Sequence, residues 1–295
     1  MQNSEKLKKI TILLEDIKKT ILEISESLEP VAVIPPEPTK TPLESLLESN
    51  QWPAAVDPTL ICDINSEQDK EDRAEGIVEL IIDTHLENLK FLDFGCGEGH
   101  VVNRTRKQNT RLSVGYDIVK FDKWDTWQKG QNTFFTKDWS EVKQLGPYDI
   151  ILMYDVIDHI ISTDEQLLNK MKEIKGLLNV NGRIYVRTHP WCSRHATHLY
   201  RQINKAYIHM LFSDEQIKNM GYEQEKVRII KNPIQEYSKL FTEAGFKILS
   251  GPNEVKESVE SFFISTPVIA DKFKELYNGK FPDALDKQFI DYILI

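Results

Sequence analysis

Phe91-Leu92-Asp93-Phe94-Gly95-Cys96-Gly97-Glu98-Gly99-His100 decides the fold. Apolar residues close a buried strand, an acid stands at its tip, and three glycines follow at alternate positions. A strand that turns this tightly into a helix needs residues without Cβ, both for unusual backbone angles and for close approach of a ligand. A dinucleotide loop has the spacing Gly-x-Gly-x-x-Gly, which lets backbone and helix N-terminus hold a pyrophosphate. Here the third glycine arrives one residue early, at Gly99, and His100 takes the dinucleotide position.

The downstream chain continues the pattern. Leu112-Ser113-Val114-Gly115-Tyr116-Asp117 reads as a second strand ending in an acid, suited to accept hydrogen bonds from two ribose hydroxyls. Phe134 to Trp139 predicts a third strand end carrying Asp138 and an indole. Tyr148-Asp149-Ile150-Ile151-Leu152-Met153-Tyr154-Asp155-Val156-Ile157-Asp158-His159 predicts a fourth strand and the turn after it. A helix, a fifth strand through Ile184 to Arg187, a helix from Tyr237 to Ala244 and a sixth strand at Ile248 follow. Ser261-Phe262-Phe263-Ile264-Ser265 is the expected seventh strand.

This order, with Asp93 two residues before Gly95, resembles the class I S-adenosylmethionine-dependent methyltransferases. The resemblance covers roughly residues 73 to 268 and implies an α/β, Rossmann-like, seven-stranded fold with S-adenosyl-L-methionine as cofactor. It assigns the cofactor's methionine part and ribose to Asp93, Gly95, Cys96, Gly97, Gly99 and Asp117. Ile118, Asp138, Trp139 and Tyr154 complete the expected cofactor contacts. Each acid also has a plainer role open to it, as helix N-cap or turn residue, and Trp139 as core aromatic.

Candidate chemistry clusters after the fourth strand. Asp155-x-x-Asp158-His159, with His209 later, resembles the metal-assisted small-RNA 2′-O-methyltransferases and quinone-biosynthesis O-methyltransferases. That resemblance implies a divalent ion such as Mg²⁺ on Asp155, Asp158, His159 and His209, lowering the pKa of an acceptor hydroxyl. Asp replaces the Glu most common in those families, which shortens the reach. His159 as general base, with no metal, and His159 as a structural residue are the alternatives.

From Ile174 to Ser213 the chain has no acid, but it holds Arg187, Arg194, Arg201, Lys205, His189, His195, His198 and His209. The segment follows the carboxyl end of the fifth strand, where ligands bind in open α/β sheets. An anionic acceptor, with Arg194 as a catalytic or binding residue and Trp191 or Tyr200 as a packing surface, is the expectation. Pairing of these cations with acids elsewhere on an acidic protein is the alternative.

Leu7, Ile10, Leu14, Ile17, Ile21, Ile24 and Leu28 recur at 3-4-3-4 spacing, a heptad seam. A coiled coil over residues 7–28 is expected, self-associating as a trimer or tetramer or pairing with a partner helix. Packing of one amphipathic helix on its own domain is the alternative. A proline-rich linker covers 29–42. On this basis the chain divides into a coiled-coil helix at 1–28, a linker and lead-in at 29–72, a catalytic domain at 73–268 and a helix and tail at 269–295. The domain should open with an amphipathic helix from Arg73 to Asn88.

The 295 residues carry 28% charged side chains and a net charge of −9, which disfavours general nucleic-acid binding, though an RNA end stays open as acceptor. Three scattered cysteines (Cys62, Cys96, Cys192) indicate neither a disulfide framework nor a zinc knuckle. No apolar run is long enough to span a bilayer and no signal peptide is evident, so a cytoplasmic protein is expected. Two function classes stand: a methyltransferase acting on a hydroxylated or anionic acceptor (small molecule, sugar, nucleotide or RNA end), or a methyltransferase-fold assembly subunit attached through its coiled coil.

Overall fold

The computed structural model describes residues 2–27, 40–57, 66–82, 84–128, 132–256 and 259–295. Residues 1–45 and 46–295 are two compact units. In the first, helix α1 runs from Gln2 to Ser27, and the seam residues Ile10, Leu14, Ile17 and Ile21 are exposed along it, as are Ile12, Leu13 and Leu22. Leu28, most of the proline-rich linker and Cys62 lie outside the described residues. Helix α2 runs from Pro42 to Glu48.

The second unit is built on a seven-stranded sheet of order β3-β2-β1-β4-β5-β7-β6. Its strands are β1 (Lys90–Phe94), β2 (Leu112–Tyr116), β3 (Thr133–Thr136), β4 (Tyr148–Tyr154), β5 (Leu178–Thr188), β6 (Ile248–Lys256) and β7 (Lys287–Leu294). The first five pair in parallel, and β7 inserts antiparallel between β5 and β6. The order reverses between β2–β1 and β1–β4, so the crevice outside the carboxyl ends of β1 and β4 is where this topology opens to a ligand.

The described helices of this unit include α3 (Glu67–Ile81), α4 (His100–Arg106), α5 (Trp124–Trp127), α6 (Trp139–Leu145), α7 (Asp164–Lys175), α8 (Ile208–Leu211), α9 (Asp214–Asn219), α10 (Pro233–Glu243) and α11 (Val259–Ser265). A further helix, α12 (Pro267–Tyr277), precedes β7. α3 starts six residues before the expected Arg73, because Ser66 accepts from the Asp69 amide and caps it. Ile77 and Val78 of α3 then pack with Ile82, Leu86, Phe91, Ile150, Leu152 and Tyr185 into the core beneath the site.

The expected seventh strand is corrected. Ser261–Ser265 lies in α11, where of the five only Phe262 is buried, and the strand comes from the tail instead. Ile290, Tyr292 and Leu294 alternate into the core, and Asp291 meets Arg187 across the ladder. The sheet therefore extends to Leu294, past the expected limit of 268. Part of the undefined lead-in is ordered too. The Trp52 indole donates to the Ala206 carbonyl at 3.0 Å, and Val56 and Asn204 exchange two hydrogen bonds. Residues 49–56 thus anchor the insert between β5 and α10. No helix among the described residues is long and apolar enough to cross a membrane.

Candidate active site

The glycine loop is held from three sides. Gly95 and Cys96 both donate their amides to the Tyr116 carbonyl, at 2.7 and 3.0 Å. The Gly97 amide donates to Asp117 Oδ2 at 2.9 Å, and the Val119 amide to Asp117 Oδ1 at 3.2 Å. From α5, the indoles of Trp124 and Trp127 donate to the carbonyls of Gly97 and Glu98. Trp124 stacks on Phe135 at 5.4 Å and continues the packing around Val102.

The three loop glycines serve different ends. All have positive φ, which a Cβ makes costly. A Cβ on Gly95 would meet the Val156 side chain at 2.4 Å, and one on Gly99 the Phe135 ring at 2.4 Å. A Cβ on Gly97 would meet nothing within 4 Å. Gly95 and Gly99 are close-packing positions, whereas Gly97 turns bare backbone toward open space.

That space is a cavity of about 340 Å³, bounded by Asp93, the glycine loop, Tyr154 and Asp155 on the strand side and by Lys70, Arg73 and Ile77 of α3. Its acids are unusual. Burial and the charge of Asp117 push the Asp93 carboxyl up to about 7, against the pull of Arg73. Burial and Asp158 push Asp155 likewise to about 7, opposed by Arg73, His198 and Arg187. Asp155 has φ +52, a strained angle for a residue with a side chain, and its Oδ1 is buried with no hydrogen-bond partner. Arg73 reaches its Oδ2 at 3.5 Å and lies over the Tyr154 ring. Lys70 holds Glu98 at 2.8 Å.

Beyond Asp155 the wall is imidazole. Asp158 and His159 form a short turn after β4, with His159 Nε2 3.6 Å from Asp158 Oδ2. Burial pushes the Asp158 carboxyl up to about 6 and, with the nearby His198, lowers His159. The His159 and His198 rings lie parallel at 5.9 Å, and His198 Nδ1 is 2.8 Å from Glu225 Oε2. His189 and His195 face each other through their Nε2 atoms at 2.8 Å, one donating to the other. Burial drives His189 well down and takes His195 and His209 to about 4, so these rings are neutral at pH 7.

The sequence-predicted residues divide accordingly. Asp93, Gly95, Cys96, Gly97, Tyr154 and Asp155 line one cavity, with Asp117 bracing its loop. Ile118 projects from the tip of β2 with 80% of its surface exposed, a bare apolar shelf. Asp138 is the N-cap of α6, accepting from the Ser140 amide, and Trp139 packs on Phe94 and Tyr116 while donating to Glu173. Arg194 does not line the cavity: it lies over the Phe262 ring and reaches the Ala54 carbonyl. Arg187 forks onto Asp291 through two hydrogen bonds of 2.6 Å. His209 is bonded to the Trp191 carbonyl and stands apart from the His159 cluster, which His198 and Glu225 join instead.

Sequence reasoning missed Lys70 and Arg73, although their i, i+3, i+7 spacing with Ile77 was visible once α3 is extended to Glu67. It also missed Trp124 and Trp127, whose role depends on the chain folding back across 27 and 29 residues onto Gly97 and Glu98.

A cofactor carrying an ammonium, a carboxylate and a ribose fits what is present: ionisable buried acids at Asp93 and Asp155, cations at Arg73 and Lys70, and open space facing Gly97. Residues 66–250 match the family described as a methyltransferase domain. No curated protein matches the sequence. Among solved structures, the chain is similar to a putative S-adenosylmethionine-dependent methyltransferase from Listeria monocytogenes, at 14% identity over 76% of this chain and 98% of that one, TM-score 0.45. It is similar also to an S-adenosylmethionine-dependent methyltransferase from Clostridium acetobutylicum, at 13% identity over 78% and 92%, TM-score 0.46. The magnesium protoporphyrin IX methyltransferase of Synechocystis, with bound S-adenosylhomocysteine, aligns at 16% identity over 76% and 82%, TM-score 0.43. With its glycine loop, its strand order and the family match over residues 66–250, the chain belongs to the methyltransferase-domain family of the class I S-adenosylmethionine-dependent superfamily.

Proposed function

We propose that the protein methylates a hydroxyl oxygen of an acceptor seated between Asp155 and the imidazole wall. The observation that carries this reading is Asp155 itself, which lines the cofactor cavity, feels the charge of His198 and keeps a buried Oδ1 without a hydrogen-bond partner. S-adenosylmethionine, when bound, supplies an electrophilic methyl on a sulfonium. Arg73 and Lys70 suit its carboxylate, Asp93 its ammonium, Asp117 its ribose and Ile118 its adenine. Methyl transfer asks for in-line positioning and a destination for the hydroxyl proton. His159, an imidazole that burial holds below its ordinary pKa, offers that destination, and Asp155 steadies the positive charge that develops there.

The pairing of Arg187 with Asp291 favours a hydroxyl over a carboxylate or phosphate as the recognised group, because the most central cation of the acid-free segment is already neutralised. The exposed apolar stripe of α1 supports a second role beside catalysis: self-association, or attachment to a partner helix, through residues 7–28.

Calorimetry with S-adenosylmethionine and S-adenosylhomocysteine tests the cofactor. A screen of fractionated extract with methyl-labelled cofactor then finds the acceptor. Binding followed by base-stable, ether-like label supports O-methylation. Label on nitrogen or sulfur would overturn the hydroxyl, and no turnover on any fraction would favour the assembly reading.

A further inference from the structure

We propose that His159, His198 and Glu225 form a site for one divalent transition-metal ion of zinc-like preference, at the acceptor end of the cavity. Two imidazole nitrogens and one carboxylate oxygen lie here within 4.8 Å of one another, from a turn after β4, the strained segment after β5 and the loop beyond α9. With bonds of about 2.0–2.1 Å in a tetrahedral arrangement two ligand atoms stand roughly 3.4 Å apart, so closure draws these atoms together by up to about 1.4 Å, within reach of side-chain rotation. The ion would take the place of the present His198–Glu225 hydrogen bond.

Four features favour a site over an ordinary surface pair. His198 and its neighbour Thr197 both hold positive φ, at +54 and +64, and this aims His198 at the other two ligands. His159 is steadied by the Lys226 backbone and by Asp158, the kind of outer support that orients ligating imidazoles. Arg201, the cation nearest Glu225, reaches the other oxygen, Oε1, at 4.0 Å and leaves Oε2 to the histidines. Three protein ligands leave a fourth position open, as metal sites that act on substrates do.

The ligand chemistry replaces the expected Mg²⁺. Magnesium selects carboxylates and water, whereas an imidazole-rich set selects zinc, cobalt, nickel or copper. The second His–carboxylate group of the described residues, Glu67, Glu98 and His100, differs in kind, because Lys123 and Lys70 already occupy its acids. The metal site rests on the methyl-transfer reading for its use, since the open position would hold the acceptor oxygen, but not for its occupancy.

The test uses full-length protein without a polyhistidine tag, stripped with chelator. Co²⁺ is titrated by its visible absorption and Zn²⁺ by calorimetry, with Mg²⁺ for comparison and S-adenosylmethionine calorimetry on the same preparation. One Co²⁺ or Zn²⁺ per chain is expected, with at least tenfold weaker binding in both Glu225→Gln and His198→Ala, unchanged binding in Glu67→Gln, and Mg²⁺ weaker throughout. Cofactor binding retained in the two variants shows that they are folded. Wild-type Zn²⁺ affinity in both variants, or no ion bound by protein that binds cofactor, overturns the metal site and leaves methyl transfer standing. Ion binding without cofactor binding upholds the metal site and removes the methyltransferase reading.

Discussion

The Gly97 amide donates to the Asp117 carboxylate at 2.9 Å, so the tip of β2 holds the middle of the loop that leaves β1. One carboxylate thereby serves two ends. It shapes the loop through Gly97 and Val119, and its remaining lone pairs are left for ribose hydroxyls. Asp117→Ala is expected to weaken S-adenosylmethionine binding by roughly tenfold to a hundredfold, the loss of charge-assisted hydrogen bonds worth about 1.5–3 kcal/mol. Calorimetry on a variant with an unchanged far-ultraviolet spectrum checks this, and wild-type affinity would remove Asp117 from the cofactor site.

The glycine series should separate packing from binding. Gly95→Ala and Gly99→Ala collide with Val156 and Phe135 and are expected to destabilise the fold by about 2–4 kcal/mol, overpacking added to left-handed strain. Gly97→Ala meets open space, so only the backbone strain, about 1 kcal/mol, should appear in urea unfolding. Its cofactor affinity should nevertheless fall. An equal stability loss in all three variants would contradict this division.

Two sets of buried groups give opposite pH trends. Asp93 and Asp155 have folded pKa values near 7 against an ordinary 3.8, so the folded state holds their protons longer than the unfolded state. Their contribution is fully present below about pH 4 and is lost as pH rises to 7. His195 and His209, lowered to about 4, contribute stability above pH 6.5 that is lost as pH falls toward 4. Asp155→Asn should therefore gain in melting temperature relative to the parent as pH rises from 4.5 to 7.5, and His209→Gln should gain relative to the parent as pH falls. Thermal melts of the three proteins across that range decide it; a pH-independent offset for Asp155→Asn would refute the raised carboxyl.

Arg187 and Asp291 join the catalytic sheet to its antiparallel strand. With both side chains mostly buried, a double-mutant cycle on Arg187→Ala and Asp291→Ala should give a coupling of about 1–3 kcal/mol. The two single losses should sum to more than the loss in the double variant, by that coupling. Arg194→Ala, by contrast, should cost stability through its contact with Phe262 and leave acceptor KM unchanged. A selective KM effect would return Arg194 to the acceptor site.

Removing residues 1–28 should leave the sheet unit folded and lower the number of chains per particle. Sedimentation of full-length and truncated protein measures this directly. Equal particle sizes would assign the exposed Ile10–Ile21 stripe to some other partner.

The sheet was legible as far as its strands carry local signals: apolar runs ending in Asp93, Asp117 and Asp155, with glycines where the chain turns. The seventh strand was not, because Phe262-Phe263-Ile264 is an unbroken apolar run, whereas the alternation of Ile290, Tyr292 and Leu294 into the core shows only in the fold. In the fold Arg187 stands opposite Asp291 of β7 and forks onto it, while Val259–Ser265 is helical. The same holds for the site. Asp93, Gly97, Asp155 and His159 could be read from one stretch each, whereas Glu225 enters only because a 44-residue insert folds back over β4. Arg194 and His209 misled for the converse reason: composition placed them near the site, and only packing reveals that they face Phe262 and Trp191.

Trp124 and Trp127 give the loop an optical consequence. Their indole N–H groups end on the carbonyls of Gly97 and Glu98, the peptide units that border the cofactor cavity. Any ligand that shifts those carbonyls changes the polarity around two of the five indoles in the chain. Intrinsic emission should therefore move in wavelength or intensity as the cavity fills, and Trp127→Phe should diminish the change, making the protein its own titration signal without label or coupled assay.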